Sequence, residues 1–211
     1  MKITKFGHCC LLIEERGLRI LTDPGTYTKQ QNHVTDIDVV LISHEHGDHF
    51  HVDSVKEIIK NNPNTKIITN SAVAKLLTAQ GIESIVVGDG EVHQVGEVLF
   101  SGHGTKHAIV YKEMGQVENT AYFIGPRLYY PGDAFYDPKK PVEILALPVA
   151  GPWVKISEAI DYALTIGPKI AFPVHDGGLV SPDGVSWALK PVFQEEEIQL
   201  VTLEIDKETE L

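Results

Sequence analysis

Cysteine is almost absent: Cys9 and Cys10 are the two in 211 residues. Neighbouring residues in a strand point to opposite faces, so no disulfide is expected between them, and both read as small buried hydrophobes. Basic residues are scarce too, 18 lysines and arginines against 29 acidic residues, giving a formal net charge of −11. No cluster of Lys or Arg is present. Nucleic-acid binding needs such clusters to neutralise phosphates, so no nucleic-acid partner is expected. No apolar run approaches the ~18 residues that span a bilayer, so no membrane partner is expected either. Met1–Phe6 enters a strand-like pattern directly, without an apolar signal region or small-residue cleavage site. That reads as a cytoplasmic chain. Linkers rich in Pro, Gly or Ser, composition shifts and internal repeats are all missing. A chain of this length holds one sizeable core and is marginal for two, so one domain over 1–211 is expected. Seven acidic residues and one lysine lie from Glu195 onward, which reads as a solvated terminal strand and tail.

What is present alternates. Strands are expected at 2–6, 9–14, 18–22, 38–42 and 66–69, with helices over 52–61 and 72–80. The first helix carries Val52, Val55, Ile58 and Ile59 on one face. Further strands are expected at 84–87, 91–95, 97–102, 107–111, 119–124, 127–130 and 141–147. A helix capped by Ser157 runs to 166, followed by a strand at 169–173, a helix over 185–193 and a last strand at 199–205. Strands alternating with helices favour layered α/β packing.

One run stands apart, Ser43-His44-Glu45-His46-Gly47-Asp48-His49-Phe50, directly after the apolar Val39–Ile42. Burying unpaired charge or imidazole costs several kcal/mol unless a partner or metal offsets it. Imidazole nitrogen and carboxylate oxygen are ligands of zinc and similar divalent ions. His44 and His46 can face one way from an extended turn. Asp48 and His49 follow where the chain enters a helix and aim at a neighbouring point. One short segment could therefore serve two metals.

Four ligands do not complete two sites. Three later places put an isolated ligand at a strand end beside Gly or Pro: His103 and His107 in Gly102–His107, Asp133 in Tyr129–Asp133, and His175 in Ala171–Gly178. His103 and His107 on one extended segment would be separated by roughly 13 Å, so both could not ligate one ion. His33 and His51 read as ordinary exposed residues, and His93 is left unassigned.

The run His44–His49 matches, residue for residue, the HxHxDH signature of the metallo-beta-lactamase superfamily, which the chain resembles. Phe6-Gly7-His8, Leu21–Gly25, Pro131–Ala134 and Leu147–Trp153 extend the resemblance over nearly the whole chain. It is similar there to small metal-dependent hydrolases of the L-ascorbate-6-phosphate lactonase-like group. The resemblance implies a four-layer alpha-beta-beta-alpha sandwich with metals at one edge of the facing sheets. It implies that His44, His46 and a third histidine bind one metal, that Asp48, His49 and His175 bind another, and that Asp133 bridges both. It favours His107 as the third histidine, by its Lys-His-Ala context, with His103 in a supporting or substrate-contact role. His8 and Asp23 match residues beside the metal edge. A carboxylate such as Asp23 that accepts a ligand imidazole's N–H fixes its tautomer. Trp153 is a candidate pocket wall.

His46 argues for hydrolysis, because oxygen-reducing diiron relatives usually carry a carboxylate there. No cysteine neighbours Asp133 or His175 in sequence, which speaks against the antibiotic-hydrolysing branch. The expected activity is metal-dependent hydrolysis of a small, anionic ester, lactone or phosphodiester by a hydroxide bridging two metals, with Asp48 as proton acceptor. Lys106 and Lys155 are candidates to meet an anionic group. A metal-binding sensor or scaffold without turnover is the alternative. Zinc is the expected ion; manganese and iron suit the same ligands. A homo-oligomer is compatible with the sequence.

Overall fold

Two seven-stranded sheets face one another in the computed structural model, which describes residues 1–114 and 116–211. The first contains β1 (Lys2–Gly7), β2 (Cys10–Glu15), β3 (Leu18–Thr22), β4 (Val39–Ile42), β5 (Lys66–Thr69) and β6 (Ile85–Val86), with β14 (Glu208–Glu210) on the outer side of β1. The second contains β7 (Val92–Val95), β8 (Val98–His103), β9 (Ala121–Ile124), β10 (Leu128–Tyr130), β11 (Ile144–Pro148), β12 (Ile170–Val174) and β13 (Gln199–Leu200) in sequence order across the sheet. Helices α1 (Val52–Asn61) and α2 (Ser71–Thr78) follow β4 and β5, and α3 (Ile156–Ile166) and α4 (Ser186–Glu195) flank β12 in sequence.

Alternation explains the layers. Ile3, Leu11, Ile13, Val39 and Leu41 of the first sheet pack on Phe100, Tyr122, Ile124, Ile144 and Phe172 of the second. On the outer face of the first sheet, Val40 and Ile42 meet Val55, Ile58, Val73 and Leu77 of α1 and α2. On the outer face of the second, Leu145 and Leu147 meet Ala159, Ala163, Leu189 and Phe193 of α3 and α4. The result is the four-layer sandwich. Each fully buried Leu, Ile or Phe contributes roughly 1.5–3 kcal/mol, so burial of these faces, more than helix propensity, holds the helices. Cys9 lies in the inter-sheet core and Cys10 on the outer face, unbridged and buried. β4 is buried on both faces and parallel to β3 and β5, which is why Val39–Ile42 is a continuous apolar run.

Several expectations are corrected. Residues 107–110 form no strand: the His107 amide donates to the Val117 carbonyl and the Ala108 amide to the Asp133 carbonyl. The segment is fixed to the loop that carries Asp133, not to a sheet. The expected strand at 199–205 stops at Leu200, where the chain leaves the second sheet. It returns as β14, antiparallel to β1, so the acidic tail closes the first sheet and does not hang free. Ser157 is not the cap of α3. Lys155 occupies the cap, and its amide donates to Glu158 Oε2 at 2.9 Å. His51 is half-buried, with Nδ1 3.0 Å from Ser54 Oγ at the start of α1.

Candidate metal centre

The loops after β4, β10 and β12 bring His44–His49, Asp133 and His175 to one edge of the sandwich. Two glycines let the backbones approach. A side chain at Gly25 would overlap the Asp48 carbonyl, and one at Gly132, whose φ is +60°, would overlap Asn119 and Ser43. Asn119 in turn accepts from the Asp133 amide at 3.0 Å and donates to the Pro131 carbonyl at 3.0 Å. Asp133 is thus held by its own backbone before its side chain meets anything.

Protons on the imidazoles are assigned by their outer partners. His107 Nδ1 lies 2.5 Å from the Ala108 carbonyl and His175 Nδ1 lies 2.5 Å from the Ala150 carbonyl. A carbonyl can only accept, so each Nδ1 carries the proton and each Nε2 presents a lone pair. His49 Nδ1 donates to Asp23 Oδ2 at 2.7 Å. Ser43 Oγ donates to Asp23 at 2.6 Å and therefore accepts from His44 Nδ1 at 3.0 Å. All four Nε2 atoms point inward. Those of His175, His107 and His44 lie 2.8, 3.2 and 3.9 Å from Asp133 Oδ2, and that of His49 lies 3.1 Å from Oδ1.

Lone-pair nitrogens packed on a carboxylate repel unless a proton or a metal cation lies among them. Nε2 of His44, His49 and His175 and Oδ1 of Asp133 are buried without an aligned hydrogen-bond partner. A nitrogen-rich donor set with its outer protons committed and its inner lone pairs orphaned fits divalent metal ions. The ligand atoms fall into groups within 4.8 Å of one another: His44, His46 and His107 in one, and Asp48, His49 and His175 with His8 in another. Asp133 Oδ2 also accepts from Trp153 Nε1 at 2.9 Å.

The other sequence candidates separate. Asp23 accepts from Ser43, His49 and Tyr130 and is fully buried. His8 uses both ring nitrogens, donating from Nε2 to Asp48 at 3.1 Å and accepting the Gly177 amide at Nδ1, so none is left for a metal. His103 lies 3.1 Å from Ser101 Oγ, beside Phe123 and Tyr129, and joins no ligand group. Trp153 grips Asp133 and does not line the cavity at the metal edge. That cavity, about 300 Å³, is lined by His8, Tyr27, Asp48, Gly151, His175 and Leu179 among others, with no Lys or Arg among the described residues. Lys106 lines a separate cavity of about 410 Å³ that no ligand side chain touches, and Lys155 caps α3.

Sequence reasoning missed Ser43, Asn119, Tyr130 and Cys9. Cys9 brings its sulfur within 4.8 Å of ligand atoms of His49 and Asp133, although no cysteine is near either in sequence. Only the Ser before the first histidine gave a local signal.

Electrostatics follow burial. Burial lowers His44 and His46 below the usual imidazole value, which keeps them neutral. For His49 burial opposes charge, but the Asp133 and Asp23 carboxylates outweigh it and raise the ring, so without metal its Nε2 carries a proton toward Asp133 Oδ1 that a bound ion would displace. Burial raises Asp48 and Asp133, but hydrogen bonds and the neighbouring imidazoles outweigh it and hold both carboxyls well below their ordinary range.

The family model described as "Beta-lactamase superfamily domain" matches residues 2–175. The chain belongs to the beta-lactamase superfamily. It is 36% identical to Protein Rv0786c of Mycobacterium tuberculosis, over 87% of each chain. It is 30% identical to a UPF0173 metal-dependent hydrolase of Carboxydothermus hydrogenoformans, covering 83% of this chain and 84% of that one. The metallo-beta-lactamase fold protein YhfI of Bacillus subtilis superimposes with a TM-score of 0.72 at 15% identity, over 99% and 98% of the two chains. This superfamily member is a metal-dependent hydrolase, and the His and Asp groups above are its candidate metal ligands. No helix among the described residues is long and apolar enough to cross a membrane.

Proposed function

We propose that residues 1–211 act as one domain holding two divalent ions, zinc by preference with manganese or iron compatible, and hydrolysing a small ester, lactone or phosphodiester. His44, His46 and His107 would hold one ion, Asp48, His49 and His175 the other, and Asp133 both. The single observation that supports this best is the set of inward Nε2 lone pairs whose outer Nδ1 protons are already committed. When bound, such ions supply a water that ionises near neutral pH and polarise the carbonyl or phosphoryl oxygen, making its carbon or phosphorus electrophilic.

The chain's own residues would do the rest. Asp48 Oδ2 is held by His8 at 3.1 Å, leaving Oδ1 to orient the attacking water and accept its proton. Trp153 and Asn119 hold Asp133. Tyr27, Gly151 and Leu179 would wall the substrate. The anionic character expected of the substrate finds no lysine or arginine on this wall, so it is not carried into the proposal. A cytoplasmic location is part of the same proposal.

The test is ion content and turnover on lactones, aryl esters and phosphodiesters with wild type and Asp48→Asn. Two ions per chain are expected, with turnover falling about a hundredfold or more in Asp48→Asn. A firm limit of one ion would overturn the two-ion reading. A fully active Asp48→Asn, or activity surviving complete metal removal, would overturn the mechanism.

A further inference from the structure

Lys5 occupies a core position. It lies two residues after Ile3 on β1, and Ile3 belongs to the inter-sheet core, so strand alternation turns the lysine inward. Its side chain is 2% exposed. A buried ammonium is costly unless it is paired and fully hydrogen-bonded. Lys5 Nζ finds one partner at the end of β12 in the opposite sheet and one just past it: the Pro173 carbonyl at 2.9 Å and Asp176 Oδ2 at 2.6 Å. These flank His175. Two further bonds join the same pieces: the His175 amide donates to the His8 carbonyl at 3.2 Å, and the Gly177 amide donates to His8 Nδ1 at 3.1 Å.

His175 itself has φ +59°, an uncommon backbone conformation for a residue with a side chain. Something must hold it there. β12 ends at Val174, so no ladder fixes the residues beyond it. The Ala150 carbonyl orients the ring, but the backbone is secured from the first sheet, through Lys5 and the turn at His8.

We propose that Lys5 is a positioning residue for the metal centre. Its ion pair with Asp176 is a strut between the sheets that sets His175 Nε2 toward Asp48 and Asp133. The sheets carry the two halves of the second ligand group separately, Asp48 and His49 after β4 and His175 after β12. The strut fixes their separation at the open edge, where the apolar core no longer does. This rests on the two-ion reading only for its effect on metal.

The test compares wild type, Lys5→Met and Lys5→Met/Asp176→Leu. The single variant leaves a buried carboxylate unpaired and can fail to fold. The double variant removes both charges and keeps apolar bulk. In metal-free protein the Nδ1 protons of His175 and His49 should give slowly exchanging imidazole NMR signals, to be assigned by their loss in His175→Gln and His49→Gln. In the double variant, a thermal midpoint within a few degrees of wild type is expected, with the His49 signal retained. The His175 proton should exchange at least tenfold faster or vanish. Calorimetric zinc titration should show the second ion weakened at least tenfold and the first unchanged. A double variant with an unaltered His175 signal would overturn the strut. Equal loss of both signals would also overturn it, making the pair a general stability element. Wild type that binds one ion would sink the two-ion reading, and the His175 signal would still decide the strut.

Discussion

His8 donates from Nε2 to Asp48 Oδ2 at 3.1 Å because its Nδ1 already accepts the Gly177 amide at 3.1 Å. The backbone of one sheet's loop thus chooses the tautomer that orients a carboxylate on the other. The rings of His8 and His175 also pack at 4.1 Å, so one residue touches both flanks of the second ligand group. His8→Ala is expected to weaken the second ion about tenfold while the first is unchanged. Zinc titration checks this, and equal weakening of both ions would contradict it.

Four donors converge on Asp23: the Ser43 amide and hydroxyl, His49 Nδ1 and Tyr130 OH. An asparagine has one acceptor oxygen and an amide that would meet these donors head-on. Asp23→Asn should lower metal affinity roughly 10–100-fold. Tyr130→Phe removes one bond to a carboxylate and should cost about 1.5–3 kcal/mol of stability, with metal content kept. Denaturant unfolding alongside metal analysis distinguishes the two effects.

His107→Ala should strip or weaken one ion, whereas His103→Ala should leave metal content near normal. The reason is placement: His107 Nε2 faces Asp133, and His103 faces Ser101 beside two aromatic rings. The reverse pattern would mean that the third nitrogen ligand comes from β8.

Acid should act on the metal-free protein through its imidazoles. Burial lowers His8, His44, His46 and His103 below the unfolded value of roughly 6.5. The unfolded chain then binds more protons than the native one, so their stabilisation is present above about pH 6.5 and is lost as pH falls. His49, raised by its carboxylates, acts oppositely: its stabilisation is complete below that value and fades as pH rises through its folded pKa. Four lowered rings against one raised ring predict a falling thermal midpoint from pH 7 to 5 after chelation. A rising midpoint would show that His49 dominates. With metal present the fall should be steeper, because protons compete for the ligands.

Much of this was readable along the chain. A continuous apolar run ending in four candidate ligand residues placed β4 and brought half of the candidate centre into view, because strand, turn and cluster are all local. Strand-helix alternation implied layers for the same reason, and the inward face of α1 was visible in Val55 and Ile58. The errors fell where pairing is distant. Residues 107–110 look like a strand, yet their amides bond Val117 and Asp133, and the last strand joins β1 from some 200 positions away. Composition cannot say which carbonyl an amide will meet.

The sequence by itself determined which candidate ligands exist and that most of them follow strands. Tertiary structure decided which nitrogen of each histidine is free, since that depends on the Ala108, Ala150, Ser43 and Asp23 atoms that occupy the other. It alone turned Lys5 from an ordinary strand lysine into a buried partner of Asp176, 171 residues away. Identity and spacing are local properties of the chain. Protonation and convergence are properties of the packed sheets, because lone pairs and charges respond to whatever folding places beside them.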